Sequence, residues 1–359
     1  YGLAALPRQK VEQTLMRWLT GERDYTPGGR GFMAQAWDRF VPPPALWDEA
    51  LRVLKPGGFL VSFAGARTVD LMGLSIRLAG FEVRDILAWI RADAFAKAPG
   101  ILKSGHEPIV MARKPLRGTL AANEARWGTG SLNIEGSRTP YRSAADEDET
   151  KTKNAHGQFG TRHGGNAVFG DFGDGLREDY NPPGRWPTNV LLDEAAAIML
   201  DDASPVTRSR KSSPRRASAP GAGGFRTTHT GAEHDDVGGP SRFYPVVEPA
   251  GLSPQDLLLA GQAGFHYAGR ATAKERPVAP DGTKHSTVKP LTVMHWLVNL
   301  VSMPGQVILD PFGGSGTTAE AAIDLGREVT IIEAESEFIP LIEQRVERAL
   351  SRRSDTPRA

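Results

Sequence analysis

The sequence predicts an α/β fold, a mostly parallel sheet with helices on both faces, interrupted by a long loop-rich insertion. Three observations carry this expectation. Short apolar runs alternate with stretches of helical periodicity towards both ends of the 359 residues, as in strands joined by crossover helices. The string Asp310-Pro311-Phe312-Gly313-Gly314-Ser315-Gly316-Thr317-Thr318 follows one apolar run and opens a helical one. Between residues 115 and 264 the chain becomes rich in Gly, Ser, Arg and Asn, with few periodic apolar stretches, and is a poor candidate for a compact core.

Taken in order, Pro42 to Leu54 reads as a helix, Lys55-Pro56-Gly57-Gly58 as a turn and Phe59-Leu60-Val61-Ser62-Phe63 as a buried strand. A helix from Thr68 to Ala79 closed by Gly80, a strand from Phe81 to Ile90 and another around Pro108 to Ala112 follow. After the insertion, Val307-Ile308-Leu309 reads as a buried strand running into Asp310. The glycines then allow a tight turn and close approach to a ligand, and Thr317 to Leu325 continues as a helix that Gly326 ends. Glu328 to Ile332 is the next strand. It leaves Glu333 at its carboxyl end beside the glycine loop, where open α/β sheets bind ligands and where a carboxylate accepts hydrogen bonds from ribose hydroxyls. Phe338, Leu341, Ile342, Val346 and Ala349 fall at helical spacing, which makes them the core face of a last helix.

The glycine loop admits several chemistries. Gly314 to Ala319 fits G-x-G-x-x-A, with Glu333 at the distance of a ribose-binding acid in a dinucleotide site. A dinucleotide fold usually opens with its glycine loop, however, and here the loop comes near the end of the sequence. No Lys follows the glycines to reach a phosphate, which argues against an NTPase loop. The eight histidines show no metal spacing, and His229 and His234 fall in a polar loop without a ligand set, so no metal is expected. No stretch approaches the apolar length of a membrane span.

The loop, together with His285-Ser286-Thr287-Val288-Lys289-Pro290 before it, resembles the S-adenosylmethionine (SAM) site of DNA amino-methyltransferases. D-P-F-x-G-S-G-T-T is that family's cofactor loop and H-x-T-V-K-P its second cofactor motif; Ser286 stands where the family prefers Pro. The resemblance implies the SAM-dependent methyltransferase fold and cofactor contacts from Asp310, Phe312, Gly313, Gly314, Ser315, Gly316, Thr317 and Glu333. Thr287 and Lys289 are then placed near the methionine end, where a carboxylate wants a hydroxyl and a cation. Leu54-Lys55-Pro56-Gly57-Gly58 recurs across SAM-dependent methyltransferases. Phe32 to Asp38, Gly128 to Gly136 and Gly184 to Leu191 resemble segments of phage-type DNA methylases, with Trp186 expected to pack beneath the insertion. The complete lack of cysteine argues against methylation of a ring carbon, which needs a covalent cysteine adduct; an exocyclic amino group needs none.

The family's catalytic segment, D/N/S-P-P-Y/F, occurs nowhere in the sequence. Since D-P-P-Y-G-L is a common form of it, Tyr1-Gly2-Leu3 is expected to be its end, with Tyr1 the aromatic on which a target base stacks. A preceding strand would supply the acidic or polar catalytic residue, and the 359 residues alone are expected to be inactive. Catalytic segment first and cofactor segment last is the motif order of the family's beta class. It implies two halves of one catalytic domain at 1–114 and 265–350, an inserted target-recognition region at 115–264 and a tail at 351–359. Within the insertion, Arg208, Arg210, Lys211, Arg215 and Arg216 form a basic stretch suited to phosphates of double-stranded DNA. With a net charge of only +1 the DNA footprint has to be local. A cytoplasmic enzyme methylating adenine N6 fits best; N4-cytosine methylation, a silent SAM- and DNA-binding protein and a nucleotide-dependent oxidoreductase are the alternatives.

Overall fold

The computed structural model describes residues 7–29, 40–91, 102, 104–141, 144, 147, 184–203, 207–208, 237–247 and 271–354. They fall into two compact units, one of Tyr1–Ser137, Thr188–Ala196 and Val246–Ala359, the other of Arg138–Pro187 and Ala197–Pro245. Along the chain come α1 (Arg8–Leu19), α2 (Pro44–Val53), β1 (Phe59–Phe63), α3 (Val69–Leu78), β2 (Glu82–Ile90), β3 (His106–Arg113) and α4 (Leu120–Trp127). Then follow β4 (Thr139–Pro140), β5 (Gly184–Arg185), β6 (Val190–Asp193), α5 (Glu194–Ala203), β7 (Thr207–Arg208), β8 (Val237–Gly238) and β9 (Val246–Val247). The last are α6 (Leu291–Val301), β10 (Val307–Asp310), α7 (Thr317–Asp324), β11 (Glu328–Ile331) and α8 (Ile339–Ser354).

In the first unit β1, β3, β2, β6 and β9 lie side by side in that order, and β10 and β11 form a separate pair. The α/β class holds. Parallel pairs are β2 with β6, β6 with β9 and β10 with β11, whereas β3 runs antiparallel to both β1 and β2. β2 and β3 are consecutive strands paired as neighbours, which reverses direction where a parallel sheet would need a crossover. Both faces are covered, as expected. Because side chains alternate along a strand, Ile109 and Met111 of β3 point into a core with Leu87, Trp89, Leu191 and the α6 and α7 residues Val293, Leu297, Ala321 and Ala322. Val110 and Ala112 point to the other face, against Trp18, Trp47, Met72, Ile76 and Phe81.

Parts of the stretch expected as insertion belong to this sheet unit. Val190-Leu191-Leu192 is a short β-prone run, and it pairs with Ala88, Trp89 and Ile90 at the edge of β2. Upstream, the Asn133 N–H donates to Leu300 O (2.8 Å) and its amide to Asn299 Oδ1 (3.2 Å), which ties the Gly128 to Gly136 segment to α6. In the second unit β4 pairs with β5 and β7 with β8, and Asp201 accepts hydrogen bonds from the Ser241 N–H (2.8 Å) and hydroxyl (2.5 Å). Trp186, expected to pack, is instead 64% exposed, with the Arg138 guanidinium 5.5 Å from its ring centre. Two-residue strands present too little apolar surface to cover an indole.

The last two helices are held by a buried ionic cluster. Glu320 of α7 is fully buried and accepts from Arg345 Nη1 (2.5 Å), Arg348 Nε (2.7 Å) and Arg352 Nη2 (2.7 Å) on α8. Burial raises the Glu320 pKa, but the arginines outweigh it and hold the carboxyl below its usual range. Its folded-state pKa being depressed, its contribution is complete above the unfolded value of about 4.3 and is lost as pH falls through the folded value. Glu320→Gln is expected to lower unfolding free energy by about 3–5 kcal/mol at pH 7, because it leaves the buried Arg345 cation uncompensated. Urea denaturation measures this, and a loss below about 1 kcal/mol would match a surface pair instead.

Candidate cofactor site

Asp310 ends β10 and braces the loop that follows. Its Oδ1 accepts the Phe312 N–H (2.9 Å) and its Oδ2 the Thr318 hydroxyl (2.5 Å), so one carboxylate holds both the start of the turn and the first turn of α7. Burial pushes its pKa up, the Thr318 and Phe312 hydrogen bonds pull it down, and the Glu333 charge pushes it up again, leaving it above the ordinary aspartate value.

The glycines are needed largely by the protein itself. A Cβ on Gly313 would lie 2.3 Å from Ile331 Cγ2, and one on Gly316 would lie 2.8 Å from the Ile342 Cα. The loop can nest between β11 and α8 only where side chains are missing. Gly316 and Gly314 also take positive φ values of 80° and 51°, which other residues adopt at a cost.

Glu333, just beyond β11, faces this loop. Its Oε2 accepts the Gly314 N–H (2.5 Å) and its Oε1 the Glu335 N–H (2.9 Å). Each carboxylate oxygen keeps acceptor capacity for a further donor. The segment before α6 lies against the same loop: a Cβ on Gly314 would sit 3.1 Å from His285 Nε2, and the His285 Nδ1 accepts the Thr287 N–H (3.2 Å). Phe338, expected in the core of the last helix, lies in the turn Ser336–Phe338 before α8, edge-on to His285 at 4.8 Å between ring centres. Leu341, Ile342 and Ala349 do form the buried face of α8.

Lys289 has a partner that the sequence did not reveal. Its Nζ lies 3.0 Å from Glu107 Oε2 and 4.6 Å from the centre of the Phe63 ring, while Arg91 Nη1 is 2.9 Å from Glu107 Oε1. Burial raises the Glu107 pKa, but Lys289 and Arg91 outweigh it and keep the carboxylate below its ordinary value. Glu107 is the second residue of β3 and Arg91 follows β2; no motif marks either.

These groups converge on one cavity of roughly 1670 Å³, whose lining includes Thr287, Lys289, Asp310, Phe312, Gly313, Gly314, Ser315, Thr317, Glu333 and Phe338. Of the expected cofactor residues Gly316 alone is missing from that lining, consistent with its place against Ile342. Tyr1, Arg210, Lys211, Arg215 and Arg216 lie outside the described residues; Arg208 is in β7 of the second unit, its side chain not described. Among the described residues no three His, Asp or Glu side chains converge on a metal position, and no helix is long and apolar enough to cross a membrane.

The model of the DNA methylase family of N6 and N4 methyltransferases matches residues 34–344, and the chain belongs to that family. It is 42% identical over 76 residues to the type II methyltransferase M.HinfI of Haemophilus influenzae and 41% identical over 64 residues to M2.DpnII of Streptococcus pneumoniae. These matches span 21% and 18% of this chain and 21% and 24% of those relatives. Among solved structures, the M1.HpyAVI–SAM complex aligns over 86% of both chains at 13% identity and a TM-score of 0.37. PvuII DNA methyltransferase, cytosine-N4-specific, aligns over 86% of this chain and 72% of its own at 11% identity and a TM-score of 0.37.

The electrostatics of the loop give a signed prediction. Burial lowers the His285 pKa, the Glu333 charge raises it and Lys289 lowers it, with a net decrease. In an NMR titration the His285 ring should therefore titrate below about 6.5. Glu333→Gln should move the midpoint further down and Lys289→Met should move it up. Opposite signs would show that these charges do not face the imidazole.

Proposed function

We propose that this protein transfers a methyl group from SAM to the exocyclic amino group of a base in double-stranded DNA, adenine N6 being favoured. The observation that carries the reading is the shared cavity: the Asp310 loop, Glu333 and the His285 to Lys289 segment, three separate stretches of sequence, meet there in a chain of the DNA methylase family. The donor set fits the cofactor. Glu333 offers acceptor oxygens to ribose hydroxyls, Phe312 and Phe338 offer apolar walls to a purine, and the Asp310 region carries negative charge suited to a sulfonium. Lys289 is the cation for a carboxylate, once it shares its charge with Glu107. SAM, when bound there, supplies an electrophilic methyl group.

The remaining chemistry falls to the polypeptide. The target amino group is paired inside a duplex, so the base has to be flipped out before it reaches the cavity. Its nitrogen lone pair is conjugated with the ring, and acceptors aimed at its protons free that pair as the new bond forms. In this reading Tyr1 stacks on the flipped base. The second unit is read as the DNA-contacting part, with the basic stretch from Arg208 to Arg216 on phosphates. Exposed Trp186 beside Arg138, and Arg185 over the rings of Tyr141 (5.2 Å) and Phe243 (5.3 Å), supply planar and cationic surfaces of the kind that contacts bases and phosphates. A cytoplasmic location belongs to the same proposal.

Mass spectrometry of nucleosides from unmethylated DNA incubated with SAM tests this. The whole protein should give N6-methyladenine. N4-methylcytosine would reverse the base assignment. Neither product, with SAM binding intact, would leave a silent DNA-binding protein.

A further inference from the structure

Glu107 occupies a place in the fold where an acid is costly. Side chains alternate along a strand, so Glu107 shares a face of β3 with Ile109 and Met111, which lie in the core built with α6. Arg91 ends the matching row of β2 after Leu87 and Trp89, its guanidinium 5.2 Å from the centre of the Trp89 ring. The main chain is fixed at this point. Trp89 stands opposite Glu107 in register, and the Arg91 N–H donates to Gly105 O (2.8 Å). A charge taken out of water needs a partner, and Arg91 alone supplies one.

The second cation changes what the cluster offers. Arg91 Nη1 meets Glu107 Oε1 at 2.9 Å and Lys289 Nζ meets Oε2 at 3.0 Å, so two cations stand against one acid. Arg91 is 11% exposed, against 24% for Glu107 and 28% for Lys289, and all three line the cavity. A ligand therefore meets a carboxylate and an ammonium side by side. Both keep capacity, because an ammonium carries three donors and a carboxylate oxygen accepts more than one hydrogen bond. A ligand carboxylate bonded to Lys289 Nζ would lie within about 6 Å of the Glu107 carboxylate, two hydrogen-bond lengths away. At that range like charges disfavour each other. An ammonium on the carbon next to the ligand carboxylate removes the penalty and gives Glu107 a further donor.

We propose that Glu107 is a specificity-determining residue of this site: it receives the α-ammonium of the ligand while Lys289 takes the α-carboxylate. The cavity thereby selects an adenosyl amino acid over an adenosyl compound with a carboxylate alone. Arg91 acts through Glu107, as a positioning residue that holds its carboxylate in place. The inference rests on the SAM reading of the cavity and adds to it the residue that recognises the amino group.

Titration calorimetry of the whole protein with four probes tests this: S-adenosylhomocysteine, its counterpart without the amino group, its counterpart without the carboxylate, and methylthioadenosine, which has neither. In the unaltered protein, loss of the amino group should weaken binding by about 10- to 100-fold, the range for a hydrogen bond between charged groups. Glu107→Gln should weaken S-adenosylhomocysteine by the same factor and bind the counterpart without the amino group at least as tightly as before, since Lys289 has lost its counter-ion. Lys289→Met should give the mirror result, with the counterpart lacking the carboxylate held at least as tightly. Methylthioadenosine should bind all three proteins alike. Equal weakening of all four probes by Glu107→Gln marks a purely structural ion pair and overturns the assignment. So does an unaltered protein that holds the counterpart without the amino group as tightly as S-adenosylhomocysteine, a result that needs no variant to fold. Either of these leaves the SAM reading standing, whereas an unaltered protein that binds neither S-adenosylhomocysteine nor methylthioadenosine overturns that reading and this assignment with it.

Discussion

The site depends on one buried polar chain that runs from Glu275 through Arg345 to Glu320. Glu275 closes a capping box with Thr272 and accepts the first N–H of α6, from Leu291, at 2.9 Å. Arg345 donates to the Glu275 carbonyl and to the Glu320 carboxylate. Through these contacts the segment that precedes the His285 motif, the start of α6, the glycine-loop helix α7 and the last helix α8 are fixed to one another. Ile342, three residues before Arg345, is thereby pressed against Gly316 and Gly313. A carboxylate at 0% exposure is tolerable only because three guanidinium groups meet it.

Fixing that frame leaves the ligand-facing groups poised. Asp310 and Glu333 place two acids beside one loop: Asp310 accepts from Phe312 and Thr318, and Glu333 accepts from Gly314 of the loop and from Glu335 beyond β11. Lys289 is held across the cavity by Glu107. A cofactor bearing both a positive sulfur and a carboxylate matches this separation of signs. The cavity lies at the carboxyl end of β10, where α/β sheets place their ligands.

Much of this was legible in the sequence, for physical reasons that differ by element. The strands Phe59 to Phe63 and Val307 to Asp310 and the helix after Gly316 announced themselves through apolar runs bounded by glycine turns. The cofactor loop was legible because its glycines are sterically obligatory, although the obligation at Gly313 and Gly316 comes from Ile331 and Ile342 rather than from a ligand. Reversal of β3 was not legible, since an apolar run carries no direction. Nor were β6 and β9, whose few residues are held by the edge of β2 and by the edge of β6 respectively. Glu107 and Arg91 stayed hidden because their meaning lies in a partner, Lys289, that is distant in sequence. Trp186 misled because burial of an aromatic presupposes a core, and the two-residue strands around it form none among the described residues.

The central claim is that the cavity at the end of β10 takes SAM. Titration calorimetry of residues 1–359 with SAM tests it most directly, with Glu333→Ala as the comparison. The account predicts one SAM bound per chain and binding weakened by about 10- to 100-fold in the variant, the loss expected when an acceptor carboxylate is removed. Heat from NAD but none from SAM, or SAM binding indifferent to Glu333, would contradict it.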